Sequence, residues 1–310
     1  MSAKKRKKKS ARDKPELLTK QEEPEETSPP EPEHAGDPGA ELQEEAKEEE
    51  KPEEDNSPSM PHARVVRCPV CGGTGQDHAK EENITVCRCE DCGLLFQNPR
   101  PSLRYIAGRR NLLFEDAIAK PHGDEIREQT GIAQEIMKGY HHRMSGRPAV
   151  LNAFGKHVLE VHCGLGLRLR EFQKYGWTVY GIDPSRDAVE YGKACSLQVE
   201  HAWLEDAAFK TGTFNLVVFH DAFSEISDPV HAVRLLLEVL RDDGLVYVHI
   251  PAGEEGSFKE TELFYYDPDS LRRVFMQNGF TVKLENNDLT GYFFWFGKKN
   301  KGLEHASDES

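Results

Sequence analysis

The stretch His157-Val158-Leu159-Glu160-Val161-His162-Cys163-Gly164-Leu165-Gly166, with Trp177-Thr178-Val179-Tyr180-Gly181-Ile182-Asp183-Pro184-Ser185 a helix-length further on, decides the fold. Val158, Leu159 and Val161 predict a short buried strand, and Gly164 and Gly166 a tight turn into a helix reaching about Tyr175. Trp177 to Ile182 predicts a second strand, which ends at Asp183. In an open parallel sheet, ligands bind beyond the carboxyl ends of strands. Glycines there let backbone amides come close, and an acid on the next strand holds ribose hydroxyls. The spacing therefore predicts a nucleoside-binding half-fold in an α/β chain, against the plainer reading of a βα unit with two glycines in its turn.

Downstream the pattern repeats. Ala188 to Cys195 reads as a helix, Gln198 to Glu200 as a short strand, and Phe214 to Phe219 as a strand buried on both faces that ends at His220 and Asp221. His231 to Leu240 is an amphipathic helix, and Arg241 to Gly244 a turn into the strand Leu245 to Pro251. Leu271 to Phe275 belongs to a last helix, and Thr281 to Leu284 and Tyr292 to Gly297 are antiparallel closing strands. About seven strands alternating with helices predict a single open sheet. Upstream, Leu103 to Phe154 has helical spacing broken near Pro121-His122-Gly123 and Gly146-Arg147-Pro148. Its Arg109, Arg110, Tyr140, His141, His142 and Arg143 are either candidates for contact with an anionic substrate or a packing layer on the sheet.

Five of the seven cysteines lie between Cys68 and Cys92. Cys68-Pro69-Val70-Cys71-Gly72 and Cys89-Glu90-Asp91-Cys92-Gly93 are two knuckles, which set four thiolates at the corners of a tetrahedron. A structural zinc ribbon is the reading, with Cys68, Cys71, Cys89 and Cys92 as ligands. An iron-sulfur cluster or a redox dithiol is disfavoured, because the redox motif has one such pair beside a βαβ unit. Cys87 falls on the same strand as Cys89, but only Cys89 with Cys92 keeps the knuckle spacing. A four-thiolate site leaves no open position for catalysis, so the metal supports folding or docking.

The first 62 residues differ in composition from the rest. A basic run, Lys4 to Lys9, gives way to Glu and Pro with almost no apolar residues. Such a segment buries too little surface to offset its chain entropy and is expected to be disordered. Met1 to Met60 holds 11 Lys and Arg against 18 Asp and Glu, a net -7 out of the whole chain's formal -14. The basic run reads as a solvated tail, a nucleic-acid arm or a nuclear localisation signal. No clear basic stripe in the remainder supports nucleic acid as a partner. No apolar run reaches membrane-spanning length, and the N-terminus lacks the hydrophobic core of a secretory signal. A soluble cytoplasmic protein is expected, or a nuclear one if the cell is eukaryotic.

Glu160-x-x-Cys163-Gly164-x-Gly166 followed by Gly181-Ile182-Asp183-Pro184-Ser185 resembles the class I S-adenosylmethionine-dependent methyltransferases. A nicotinamide-binding turn carries a third glycine where this chain has Leu169, which disfavours a dehydrogenase. Cys68-Pro69-x-Cys71-Gly72, with Cys89 to Cys92, Gly93, Leu94, Phe96, Asn98, Pro99, Arg100 and Pro101, resembles the zinc ribbon that precedes the catalytic domain in a group of bacterial methyltransferases. The resemblance spans about Arg67 to Lys299. It implies a disordered charged tail (1–62), a zinc ribbon (63–101), a helical cap or linker (102–150), a Rossmann-like seven-stranded methyltransferase domain (151–299) and a disordered C-terminal tail (300–310).

For the site, the resemblance implies cofactor contacts from Glu160, His162, Cys163, Gly164, Gly166, Asp183 and Pro184, from Leu204 and Glu205 beside adenine, and from His220. His162 stands where the family has a glycine, and its ring either points away from the cofactor or crowds its methionine end. The family's Glu-His after the fourth strand is replaced by Ser224-Glu225. Methyl transfer from a sulfonium is an in-line displacement in which positioning supplies most of the rate. His220 and Asp221 are the catalytic candidates should the acceptor need a base, with Glu225 and Tyr265 nearby. The acceptor, whether small molecule, glycan or macromolecule, leaves no mark in the sequence. The alternative is a catalytically weakened scaffold protein that uses ribbon and tail to recruit partners.

Overall fold

The computed structural model describes residues 64–65, 67–81, 83–119, 123–145, 155–252, 258–288 and 290–299. The tails 1–62 and 300–310, with the Lys4 to Lys9 run and the localisation and nucleic-acid readings placed on it, lie outside the described residues. Among the described residues no helix is long and apolar enough to cross a membrane.

The chain opens with three strands, β1 (Gly75–Glu81), β2 (Ile84–Cys89) and β3 (Leu95–Gln97), and two helices, α1 (Leu103–Ala119) and α2 (Gly123–Ser145). Alternation follows: β4 (His157–Val161), α3 (Leu167–Lys174), β5 (Thr178–Asp183), α4 (Arg186–Ala194), β6 (Val199–His201), β7 (Phe214–His220), α5 (Pro229–Val239) and β8 (Leu240–Pro251). The last elements are β9 (Phe264–Tyr265), α6 (Pro268–Gln277), β10 (Phe280–Asn287) and β11 (Gly291–Lys298).

Seven strands form one sheet in the order β10-β11-β8-β7-β4-β5-β6. β6, β5, β4, β7 and β8 pair in parallel, while β11 runs antiparallel to both β8 and β10. Alternate residues of the central strands serve opposite faces, as a period of two requires. Leu159, Val161, Val217, Phe219, Val246 and Val248 pack under α5 and α6, whereas Val158, Leu216, Val218 and Leu245 pack under α2, α3 and α4. This two-sided cover explains the unbroken apolar run of β7.

Three features differ from the sequence reading. β1, with the polar sequence Gly75-Gln76-Asp77-His78-Ala79-Lys80-Glu81, is an edge strand paired only to β2, so apolar alternation does not mark it. The turn expected at Arg241 to Gly244 is a bulge inside β8, with Leu240 opposite Phe214 and Leu245 opposite Leu216. β9 pairs with β3, Phe96 opposite Phe264, which makes a four-stranded sheet out of the cysteine-bearing hairpin and a segment more than a hundred residues later. Phe96, Ile106, Leu263 and Phe264 share one core cluster with Cys68 and Cys89, and Arg273 Nη1 donates to the Cys92 carbonyl at 2.5 Å.

Candidate active site

The turn after β4 bends through left-handed backbone at His162 (φ 55°), Gly164 (φ 54°) and Gly166 (φ 71°), the last being the N-cap of α3. A side chain in that region costs about 1–2 kcal/mol, which two glycines avoid and His162 does not. His162 is pinned there. Its Nδ1 lies 3.1 Å from Glu225 Oε2 and its ring meets Trp203 edge-on at 5.4 Å. The ring is buried inside the turn, and among the described residues Nε2 has no partner.

Asp183, at the end of β5, is fully buried. Two backbone amides fix its carboxylate: Ser185 N donates to Oδ1 and Gly164 N to Oδ2, both at 2.8 Å. Two more donors come from Arg110 on α1, Nε to Oδ1 at 3.3 Å and Nη2 to Oδ2 at 2.7 Å. The remaining arm of the guanidinium, Nη1, donates to Glu225 Oε2 at 2.8 Å. Burial alone would raise the Glu225 pKa, but the Arg110 charge and the hydrogen bond with His162 outweigh it and hold the carboxyl down at about 2. The same two carboxylates hold Arg110 firmly protonated against burial.

α1 is seated in this site by more than one residue. A Cβ placed on Gly164 would meet the Phe114 ring at 2.8 Å, and Asn111 Oδ1 accepts from Ser185 Oγ at 2.7 Å. The space that the Gly164 turn opens is therefore filled by Phe114, and two positions on Asp183 by Arg110.

The other residues singled out from the sequence are placed as follows. Glu160 is buried and its Oε1 takes a hydrogen bond from Arg168 Nε, while Oε2 has no partner among the described residues; burial raises its pKa and Arg168 opposes the rise. Cys163 is buried beside Gly181, and burial pushes its thiol well up. The Pro184 carbonyl lies 3.0 Å from His201 Nε2. Leu204 is buried in the core, and Glu205 Oε1 accepts from Ser227 N (2.9 Å), Ser227 Oγ (2.7 Å) and Asp228 N (3.1 Å), tying the loop after β6 to the loop after β7. His220 and Asp221 close β7 and meet a third residue, His249, that the sequence reading left aside. Tyr265 donates to the Lys259 carbonyl at 3.2 Å. Arg109 pairs with Glu260 at 3.7 Å, and His142 is exposed. Tyr140 and His141 pack around Trp177, and Arg143 lies over Trp295, 4.5 Å from its centroid.

The four knuckle cysteines converge, with all ligand atoms within 4.8 Å of one another. Sγ–Sγ separations are 3.7 Å for Cys68–Cys92 and 3.4 Å for Cys71–Cys89, close to the roughly 3.8 Å edge of a tetrahedron with 2.3 Å metal–sulfur bonds. Cys87 faces Asp77 instead, with Sγ 3.5 Å from Oδ1.

The five parallel strands, the glycine turn after the first of them and the acid at the end of the second define an open Rossmann-like sheet with its site at the strands' carboxyl ends. A family model described as a methyltransferase domain matches residues 130–285, half of the chain, and the chain belongs to that family. Arg110 and the cysteine cluster lie outside the matched residues. The chain is similar to the ubiquinone biosynthesis O-methyltransferase of Vibrio parahaemolyticus, 29% identical over 101 residues that make up 30% of this chain and 43% of the relative. The Escherichia coli enzyme of that name is 28% identical over 30% of this chain and 42% of its own. The match thus spans less than half the length of these relatives. Among solved structures, magnesium protoporphyrin IX methyltransferase from Synechocystis with bound S-adenosylmethionine has a TM-score of 0.47 and 13% identity, covering 63% of this chain and 96% of its own. A methyltransferase from Aquifex aeolicus has a TM-score of 0.42 and 19% identity over 53% and 87%.

Proposed function

We propose that this chain transfers the methyl group of S-adenosylmethionine to an acceptor by in-line displacement. The observation that carries the reading is the carboxylate of Asp183. Two backbone amides orient it, and its two other hydrogen-bonding positions are filled by paired N–H groups of Arg110, the arrangement that a ribose diol would require. The bound cofactor would supply an electrophilic methyl on a sulfonium. Asp183 would hold the ribose, the Gly164–Gly166 turn would border the methionine end with His162 as its floor, and Leu204 would lie beside adenine. For such a ligand to enter, Arg110 and Phe114 must leave their present positions, so α1 acts as a cover that shifts.

The relatives' names point to an oxygen acceptor, and His220 and Asp221 stand at the strand end beside which it would lie. Cys68, Cys71, Cys89 and Cys92 would hold a structural zinc ion that keeps the hairpin and β9 in register. A second reading, a catalytically weakened scaffold, is favoured by the same filling of the site by Arg110 and Phe114. Calorimetry of the zinc-replete chain with S-adenosylmethionine and with NAD, followed by labelled methyl transfer into fractionated lysate, separates them. Sulfonium binding with incorporation is expected. Binding without incorporation into any fraction supports the scaffold, and no binding sinks the enzyme reading.

A further inference from the structure

The carboxyl ends of β7 and β8 lie side by side, with His220 opposite His249. Their rings stack with centroids 4.6 Å apart and planes 23° from parallel. The Asp221 carboxylate stands between their edges, Oδ1 2.5 Å from His249 Nδ1 and Oδ2 3.3 Å from His220 Nδ1. It reaches there through left-handed backbone, φ 58°, a strain that a non-glycine residue keeps only when its surroundings enforce it.

The contacts around His249 orient its ring edge toward the carboxylate. Thr290 Oγ1 donates its one proton to Asp288 Oδ1 at 2.7 Å. The hydroxyl oxygen is left to accept, and Nε2 of His249 lies 3.4 Å from it. His249 Nδ1 is thus turned toward a carboxylate oxygen of Asp221, 2.5 Å away, and with the ring hydrogen on Nε2 that nitrogen is open to a metal.

We propose that His220, Asp221 and His249 form a binding site for a divalent first-row transition ion, held by both Nδ1 atoms and the carboxylate. Two imidazoles and one carboxylate are the donor set such ions take when coordination positions are left open for another ligand. The three ligand atoms lie within 4.8 Å of one another, and among the described residues no other group of this kind occurs apart from the cysteines. In a six-coordinate site with metal–ligand bonds of about 2.1 Å, neighbouring donors sit about 3 Å apart. The His220–Asp221 separation of 3.3 Å already suits this, and the His249–Asp221 contact opens by about half an ångström. The side chains of His220 and His249 are 10% and 3% exposed and that of Asp221 is 44% exposed, so the rings form dry walls and the carboxylate an accessible edge. The contact from Nε2 of His249 to Thr290 is the outer hydrogen bond that fixes the tautomer of a metal-bound imidazole. If the methyl-transfer reading holds, on which this last step rests, the open positions would take the acceptor hydroxyl and lower its pKa; its proton would pass to solvent, and the oxygen would take the methyl as the carbon–sulfur bond breaks and S-adenosylhomocysteine leaves.

Cobalt(II) titrated into the full-length chain carrying one equivalent of zinc, the amount the four thiolates take, tests the site without reading methyl transfer at all. We expect about one equivalent to bind with a visible spectrum free of thiolate charge transfer. His249→Gln should abolish this spectrum, and Asp221→Asn should weaken binding about tenfold or more. Retained zinc and an unchanged far-ultraviolet circular dichroism spectrum verify that both variants are folded. A wild-type chain without a thiolate-free cobalt spectrum, or a spectrum that persists in both variants, overturns the proposal and leaves a proton in the ion's place. Failure of cofactor binding in the calorimetry leaves this result untouched, so the two readings fail separately.

Discussion

The cysteine cluster and the Asp183 cluster both gather polar groups in the interior, and they are built from opposite kinds of contact. Each cysteine knuckle closes on itself: Gly72 N bonds to the Cys68 carbonyl, Gly93 N to that of Cys89, and both glycines are left-handed, with φ 78° and 76°. Arg110, by contrast, meets Asp183 and Glu225 across 73 and 115 residues of chain. The cysteines are set within their own turns, and the proposed zinc would join the two. The Asp183 site exists only when β4, β5, β7 and α1 have all assembled, and one of its members is a guanidinium on a separate helix, which the proposed function would exchange for a ligand.

Breaking the cysteine cluster should have the largest effect. Structural zinc contributes on the order of 10 kcal/mol in small peptides, so Cys92→Ser is expected to lose the metal and the cooperative melting of the hairpin. Because β3 holds β9, amide exchange at Phe264 and Tyr265 should accelerate with it. Zinc content, thermal melting and hydrogen exchange check this, and unchanged exchange at Phe264 would show that the metal does not hold the two segments together.

The Asp183 cluster should yield next. Arg110→Met takes the guanidinium from two buried carboxylates, a loss of about 3–5 kcal/mol in denaturant unfolding. If Arg110 stands in for a cationic ligand, S-adenosylmethionine restores more of that loss than the neutral S-adenosylhomocysteine does. Equal rescue by both would argue that charge plays no part in the exchange.

Acid should separate the two regions further. Glu225 is held at about 2 against an ordinary 4.5, so the folded chain binds this proton less readily than the unfolded chain. Its stabilisation is complete above about pH 4.5 and is lost as the pH falls from there to about 2, a change of about 3 kcal/mol. Glu225→Gln should remove that increment from the pH dependence of unfolding, and identical wild-type and variant profiles would mean the carboxylate is unperturbed. The smallest effect joins the two kinds of contact at one residue. Ser185 caps α4 through Ala188 N at 3.2 Å and also donates to Asn111 on α1. Ser185→Ala should cost about 1 kcal/mol. A stability loss with no gain in ligand access would assign Ser185 to the cap alone.

Much of the sheet was legible because its strands are buried on both faces or end in glycine turns. Val158 to Val161, Thr178 to Asp183 and Phe214 to Phe219 carry that pattern plainly. β1 was not, since an edge strand of charged residues has no apolar period. Within the site, Gly164 and Gly166 could be read because their roles are backbone roles tied to one turn, and Asp183 because it closes the next strand. Arg110 read only as one of several basic residues on a cap, and His249 as one residue of a strand interior. No spacing in the chain relates 110 to 183 and 225, or 220 to 249.

By itself the sequence determined the periodicities, the knuckles and the glycine turn, because each is set by dihedral preferences and side-chain alternation within a few residues. Only the tertiary structure decided that α1 occupies the site, that Phe264 pairs with Phe96, and that two histidines flank one aspartate. Those contacts depend on sheet order and helix docking, which follow from burying apolar faces across the whole chain rather than from any local pattern.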